Sequence, residues 1–336
     1  MKKHFKKLLL MALMAVMAVG LIACGTDKSD NESTKEEKTS VTITSLDASK
    51  NEIELEVPYN PKRIAILDLA CLDIIDELGV GDRVVGMAST SIDYLEKYSN
   101  ASSIKNLGTI KEADLEAVME CEPDIIFIGG RLSKSYDALS EIAPVVYLAT
   151  DTNEGLVNSV SKNAKTIASI FGMEDKVDSL MSDFGARIDA IKKISSGKTA
   201  LVGMTTSGSF NLLGNDGRCS LIGVEAGFNN LTAAGSTSTH GNESSFETVV
   251  QQNPDYIFVM DRDSAISTAG AKTAKEIVEN ELVKTTDAYK NNHIIYLEHS
   301  NVWYTAEGGI QALDIMLTDL ENCLLYTSPS PRDRTR

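Results

Sequence analysis

Glu116-Ala-Val-Met-Glu-Cys-Glu-Pro-Asp-Ile-Ile-Phe-Ile128 is followed 131 residues later by Glu247-Thr-Val-Val-Gln-Gln-Asn-Pro-Asp-Tyr-Ile-Phe-Val259. The pairs Glu116/Glu247, Val118/Val249, Pro123/Pro254, Asp124/Asp255, Ile126/Ile257 and Phe127/Phe258 are identical, and at the same offset Arg131 falls opposite Arg262. Each copy reads as a helix, a Pro-Asp turn and an apolar run of strand length with an arginine a few residues past its end. Around the first copy, Arg63–Asp68, Val84–Met87 and Val145–Ala149 read as strands and Leu72–Leu78 as a helix stopped at Gly79. Around the second, Thr199–Met204, Tyr256–Met260 and Ile294–Leu297 read as strands, with helices over Ser220–Ala226, Ser245–Asn253 and Lys272–Asn280. Strands alternating with helices imply parallel sheets covered on both faces.

Between the halves, Asp175–Ser195 is long, polar and helix-periodic, with Val177, Leu180, Met181, Phe184, Ile188 and Ile191 on one stripe. The expected fold is α/β: two Rossmann-like lobes with parallel-rich sheets, 41–174 and 196–324, joined by one long α-helix over 175–195. A ligand is expected between the lobes, beyond the carboxyl ends of the strands.

The chain has 336 residues, 48 acidic and 32 basic, for a formal charge of −16. That balance excludes a nucleic-acid-binding protein, which carries a basic face. Met1–Lys7 is cationic and Leu8–Ala23 is uncharged and apolar, the pattern of a signal segment too short to span a bilayer. It ends in Leu21-Ile22-Ala23-Cys24-Gly25, which resembles the lipobox of bacterial lipoproteins. The likeness implies cleavage after residue 23 and lipid on Cys24, hence an anchor on the extracytoplasmic side of the cell membrane. Residues 24–40 carry small, polar and charged side chains with little to bury, and read as a flexible tether. Residues 325–336 shift abruptly to Pro, Ser and Arg and read as a tail foreign to the fold. Cys71, Cys121, Cys219 and Cys323 show no zinc or redox spacing, and Cys71 and Cys121 read as buried thiols.

Arginine is scarce in the body: Arg63, Arg83, Arg131, Arg187, Arg218 and Arg262. Arg63 and Arg83 open strands and Arg187 lies on the joining helix. Arg131, Arg218 and Arg262 fall in loops or strand exits that face the expected cleft. His240 stands in a loop of small polar residues, Gly235–Gly241, rather than on an apolar face. His293 opens a strand and reads as structural.

Lipobox, tether, two α/β lobes and one joining helix together resemble the class III substrate-binding proteins of ABC importers. Asp68–Asp73, Gly129–Tyr136, Ser238–Gly241, Val259–Ile266 and Trp303-Tyr304 resemble the iron–siderophore (catecholate and petrobactin-type) lipoproteins within that class. The resemblance implies that Arg131, Arg218 and Arg262 surround a ferric siderophore, with His240, Trp303 and Tyr304 beside it. Guanidinium suits such an anion, donating to its oxygens and stacking on its rings. It also implies that His240 and Tyr304 can complete iron coordination where the siderophore leaves positions open. Glu116 and Glu247 are then the contacts to the two permease subunits. Asp216, Asp261 and Asp263 lie close to the arginines in sequence and are expected to position them. The expected protein is a monomer with no cofactor and no catalysis, its partners being a ferric siderophore, a permease dimer and, through Cys24, the membrane.

The same fold carrying haem or cobalamin is the competing reading, and it predicts little dependence on the arginines. A zinc or manganese receptor needs more cleft histidines than are available. Gly197-Lys198-Thr199 echoes a phosphate loop, but Lys192 stands where the first glycine is required, and the element order is wrong. No catalytic signature supports an enzyme.

Overall fold

The computed structural model describes residues 38–233 and 237–325; the signal segment, Cys24, the tether to residue 37 and the tail from 326 lie outside them. The first element is a hairpin of β1 (Ser40–Leu46) and β2 (Glu52–Pro58), so Ser40 belongs to a strand and not to the tether. Its Ser45 hydroxyl accepts from the Tyr147 amide at 3.0 Å, which ties the hairpin to the edge of the first lobe.

That lobe runs β3 (Ile64–Ile66), α1 (Leu69–Glu77), β4 (Val84–Met87), β5 (Lys105–Asn106), α2 (Leu115–Glu120), β6 (Ile125–Ile128) and β7 (Val145–Tyr147). Its sheet has the order β5-β4-β3-β6-β7 with parallel pairing throughout. Every residue of β3, β6 and β7 is buried, as expected for strands covered on both faces.

The lobes are joined by α3 (Leu156–Phe171), α4 (Glu174–Leu180) and α5 (Phe184–Ser195). The single helix expected over 175–195 is therefore two. The apolar stripe holds, with Val177, Phe184, Ile188 and Ile191 buried. The break comes at residues 181–183, where the Ser182 hydroxyl bonds the Ser179 carbonyl at 2.8 Å, an alternative to helical bonding. The long unbroken helix is α3. Its first turn meets the second lobe, where the Val157 amide donates to Glu225 Oε1 at 3.1 Å. Its last turn meets the first, where the Ile170 carbonyl accepts from the Asn60 amide at 2.8 Å. Gly172, at φ 65°, ends it in the left-handed conformation that glycine adopts without strain.

The second lobe runs β8 (Thr199–Thr206), β9 (Ser209–Leu212), β10 (Asn229–Asn230), β11 (Asn242–Glu243), α6 (Phe246–Gln252), β12 (Tyr256–Asp261), α7 (Arg262–Ala265) and β13 (Ile294–Tyr296). It closes with α8 (Ser300–Thr305) and α9 (Ile310–Leu324). Its sheet is mixed: the order is β11-β9-β8-β12-β13, β10 also pairs with β8, and β9 is antiparallel to both neighbours. The β8–β9 turn is Ser207-Gly208, both at positive φ (50° and 82°), as a tight primed turn requires.

The repeated Pro-Asp now has a physical meaning. Asp124 accepts from the Lys62 and Arg63 amides at 2.7 and 2.9 Å, just before β3. Asp255 accepts from the Thr199 amide and hydroxyl at 2.9 and 2.8 Å, at the start of β8. In each lobe one carboxylate sets the register of two central parallel strands.

α9 packs on both α1 and α5. The Asp73 side chain of α1 accepts from the Gln311 and Ala312 amides at the start of α9, both at 2.9 Å, and from the Tyr94 hydroxyl at 2.6 Å. Gly309 leaves room for this contact, since a Cβ there would lie 2.3 Å from Asp73 Cγ. Burial pushes the Asp73 carboxyl up to about 6 even so.

The cleft between the lobes

Three guanidiniums from separate loops meet over one tyrosine ring. Arg131 lies in the 3₁₀ segment Gly130–Ser135 that leaves β6, and Arg262 opens α7 directly after β12. Arg218 comes from the loop after β9. The guanidinium carbons lie 5.6, 4.5 and 5.9 Å from the Tyr304 ring centre for Arg131, Arg218 and Arg262 respectively. Two of them also converge on the carbonyl of Tyr304: Arg131 Nη2 donates at 3.0 Å and Arg218 Nε at 3.3 Å. Arg218 Nη1 donates to the Thr239 carbonyl at 2.8 Å, which ties it to the loop bearing His240. Arg262 Nη1 pairs with Asp263 at 2.9 Å, while its Nε is buried without a hydrogen-bond partner among the described residues.

Arg131, Arg218 and Tyr304 line a cavity of about 300 Å³, together with Asp68, Gly129, Gly130, Thr239 and Glu307. Like charges at this range repel, so other contacts must hold the arginines there. They do so through the Tyr304 carbonyl, the ring face and nearby carboxylates. Cys219, next to Arg218, adopts a left-handed backbone (φ 61°, ψ 15°), the kind of local strain that concentrates at binding sites.

Burial by itself would push the Tyr304 phenol up. The hydrogen bond with Arg262 and the charges of Arg218, Arg262 and Lys111 outweigh it and hold the phenol below the ordinary tyrosine value. His240 is exposed in its loop. Partial desolvation, then the charges of Arg262, Arg218, Lys111 and Arg131, hold its imidazole below the usual histidine value. Both groups are thereby biased toward the form with a free lone pair, the form that ligates a hard cation.

The remaining expectations fall in different places. Trp303 is in the core and not in the cleft: it is fully buried, and its Nε1 donates to Asp319 at 2.9 Å. Adjacent residues of a helix point about 100° apart, so one of this pair faces the cavity and the other the interior. Asp263 holds Arg262 as expected, but Asp216 and Asp261 hold backbone instead. Asp216 accepts from the Thr237 amide at 2.8 Å, and Asp261 caps α7 and also accepts from the Ala274 amide at 2.9 Å. His293 stacks on Tyr256 with ring centres 4.2 Å apart, and His299 pairs with Asp319 at 2.7 Å. Glu116 and Glu247 are exposed in the first turns of α2 and α6. Asp68, Glu307 and Lys111 were not among the expected site residues; only their proximity in the fold marks them.

Three comparisons place this architecture. The sequence profile described as periplasmic binding protein matches residues 64–300. The petrobactin-binding protein YclQ of Bacillus subtilis (strain 168) is 35% identical over 329 residues, covering 95% of this chain and 99% of that protein. The ferric-anguibactin-binding protein FatB of Vibrio anguillarum is 26% identical, over 79% of this chain and 83% of its own. Among solved structures, that of YclQ superposes with a TM-score of 0.78 over 85% of this chain and 98% of that one. The catecholate-siderophore-binding protein VctP from Vibrio cholerae superposes with a TM-score of 0.75 at 30% identity, over 84% of this chain and 99% of that one. The two lobes, the helices that join them and the cleft between them are thus those of a known class, and the chain belongs to the periplasmic binding protein family.

Proposed function

We propose that the protein captures a ferric siderophore of the catecholate or petrobactin type between its lobes and delivers it to an ABC importer, without catalysis. The observation that carries this reading is the convergence of Arg131, Arg218 and Arg262, from both lobes, on the ring of Tyr304, which lines the cavity with Arg131 and Arg218. A ferric catecholate presents negative charge, oxygen acceptors and aromatic faces together, and guanidiniums answer all three. The names of YclQ, FatB and VctP support the same ligand class.

In this reading the anion takes over Arg131 and Arg218 from the Tyr304 carbonyl, while Arg262 meets it still paired with Asp263. His240 and the Tyr304 phenol supply further donors where the siderophore leaves iron positions open. Large clamshell motion is not expected, because α3, α9 and the Asp73 contact brace both lobes. Cys24 carries the lipid that holds the protein, a monomer, on the extracytoplasmic face. Glu116 and Glu247, at matching positions of the repeat, engage the two permease subunits.

Trp303, the single tryptophan, adjoins Tyr304 and reports on the cleft from the core. Titration with a hexadentate ferric tris-catecholate is expected to quench its fluorescence saturably. The quench should weaken in Arg131→Ala and Arg262→Ala. Quenching by haem alone, indifferent to both substitutions, would overturn the ligand class.

A further inference from the structure

Each cleft arginine has a carboxylate against the loop that carries it. Asp263 pairs with Arg262 at 2.9 Å and accepts a second bond from the Ser207 amide at 2.7 Å. Asp68, the N-cap of α1, packs on the loop of Arg131: a Cβ on Gly129 would lie 2.0 Å from Asp68 Oδ2. Glu307 Oε2 accepts from the Cys219 amide at 3.4 Å, one residue from Arg218. Asp68 and Glu307 line the same cavity as Arg131 and Arg218, from opposite sides of the sequence.

The three acids are not held equally. Asp263 has a guanidinium and a backbone donor at short range. Asp68 has the Cys71 amide at 3.0 Å, and Glu307 has one long bond among the described residues. Facing Asp68 are Arg131, the Cys71 thiol and the Tyr147 phenol; facing Glu307 are Arg218, Arg131 and the Cys219 thiol. In each case burial outweighs these contacts and pushes the carboxyl up, opposed at Glu307 first by the Arg218 charge and at Asp68 first by the Cys71 hydrogen bonds and then by the Arg131 charge.

We propose that Asp68 and Glu307 are positioning residues that brace the loops carrying Arg131 and Arg218 in the ligand-free cleft, and that they take up protons from solvent when an anionic chelate draws on those guanidiniums. The inference rests on the reading of the cleft as an anion site. Its physical content is a competition: each guanidinium can neutralise the carboxylate or the ligand, and a buried carboxylate that loses its partner protonates. Asp263 keeps its guanidinium and its backbone donor.

Calorimetric titration of the full chain with a preformed hexadentate ferric tris-catecholate tests this, run at pH 7 in phosphate and in Tris. Such a probe has all its catecholate oxygens on iron and so brings no protons of its own. The heats are expected to differ between the buffers in the sense of proton uptake. Each proton taken up tightens the dissociation constant by up to about 10-fold per pH unit as pH falls from 8 to 6. Asp68→Asn and Glu307→Gln each reduce both effects, and the double variant abolishes them. The ligand-free protein gives a second readout. A carboxyl raised by folding lowers stability as pH rises through its folded value, so both variants should flatten the fall in melting temperature between pH 4 and 8. Equal heats in the two buffers with binding intact, or an unchanged proton count in the double variant, would overturn this inference and leave the ligand reading standing. No binding of the ferric catecholate at all would overturn the ligand reading and this inference with it.

Discussion

The two lobes present the same unit to the cleft and use it differently. In both, a helix, a Pro-Asp turn and a buried strand end in an arginine, and in both the aspartate fixes the start of the neighbouring parallel strand. Arg262 then stays beside an ion-paired Asp263 on a short helix, whereas Arg131 stands in a 3₁₀ segment whose loop lies against Asp68, the cap of α1. The second lobe further departs from the parallel pattern with the β8–β9 hairpin. Arg218 lies in the loop after β9, and the loop bearing His240 lies just before β11. A repeat therefore fixes where the chain leaves the sheet, while the surrounding loops decide what the departing side chain can do.

That difference is open to measurement. The largest effect is expected from removing the guanidiniums themselves: Arg131→Ala and Arg262→Ala should each weaken ferric-catecholate binding by about 2–3 kcal/mol, roughly 30- to 150-fold in the dissociation constant. Their melting temperatures should separate the lobes. Arg262→Ala strands Asp263, only 3% exposed, as a buried carboxylate without its cation, and is expected to melt lower. Arg131→Ala leaves Asp68 able to take a proton and should melt close to the parent. Equal losses of stability would refute the asymmetry.

A change of similar size, but in stability, is expected at the contact that binds the lobes. Asp73→Ala unpairs two amides at the start of α9 and the Tyr94 hydroxyl, and should cost about 3 kcal/mol, read by denaturant unfolding at pH 7. A smaller cost is expected at the β8–β9 hairpin, which is built into the sheet of the second lobe. Gly208→Ala forces a side chain into φ 82° and should cost about 1 kcal/mol by the same measurement. The histidine should have no titration signature at neutral pH. His240 sits below its ordinary value, which favours the neutral form, and His240→Ala should leave the slope of affinity between pH 7 and 8 unchanged. The least effect on affinity is expected from Glu116→Lys and Glu247→Lys, which should bind ligand within about twofold of the parent while cellular uptake falls.

Much of this was legible because it depends on spacing along the chain. Periodicity separated strands from helices, and the offset between two Pro-Asp turns exposed the duplicated lobe. Isolated arginines beyond strand ends pointed at the cleft. Other features left weaker traces. The β1–β2 hairpin is half exposed and rich in threonine and glutamate, so β1 merges in sequence with the polar tether before it. The stripe of α4 and α5 is continuous, and only a serine side chain bonding backwards shows why the helix breaks.

The sequence by itself determined the class of fold, its duplication, the acidic character of the chain and the three arginines that meet over Tyr304. Each follows from residue type and local order, which no neighbour can alter. The tertiary structure decided which way Trp303 and Tyr304 point, that Asp261 and Asp216 hold backbone, and that Asp68, Glu307 and Lys111 belong to the cleft. Those outcomes depend on burial and on distances between residues far apart in the chain, and a charge acquires its partner and its proton only when the fold sets how much water remains around it.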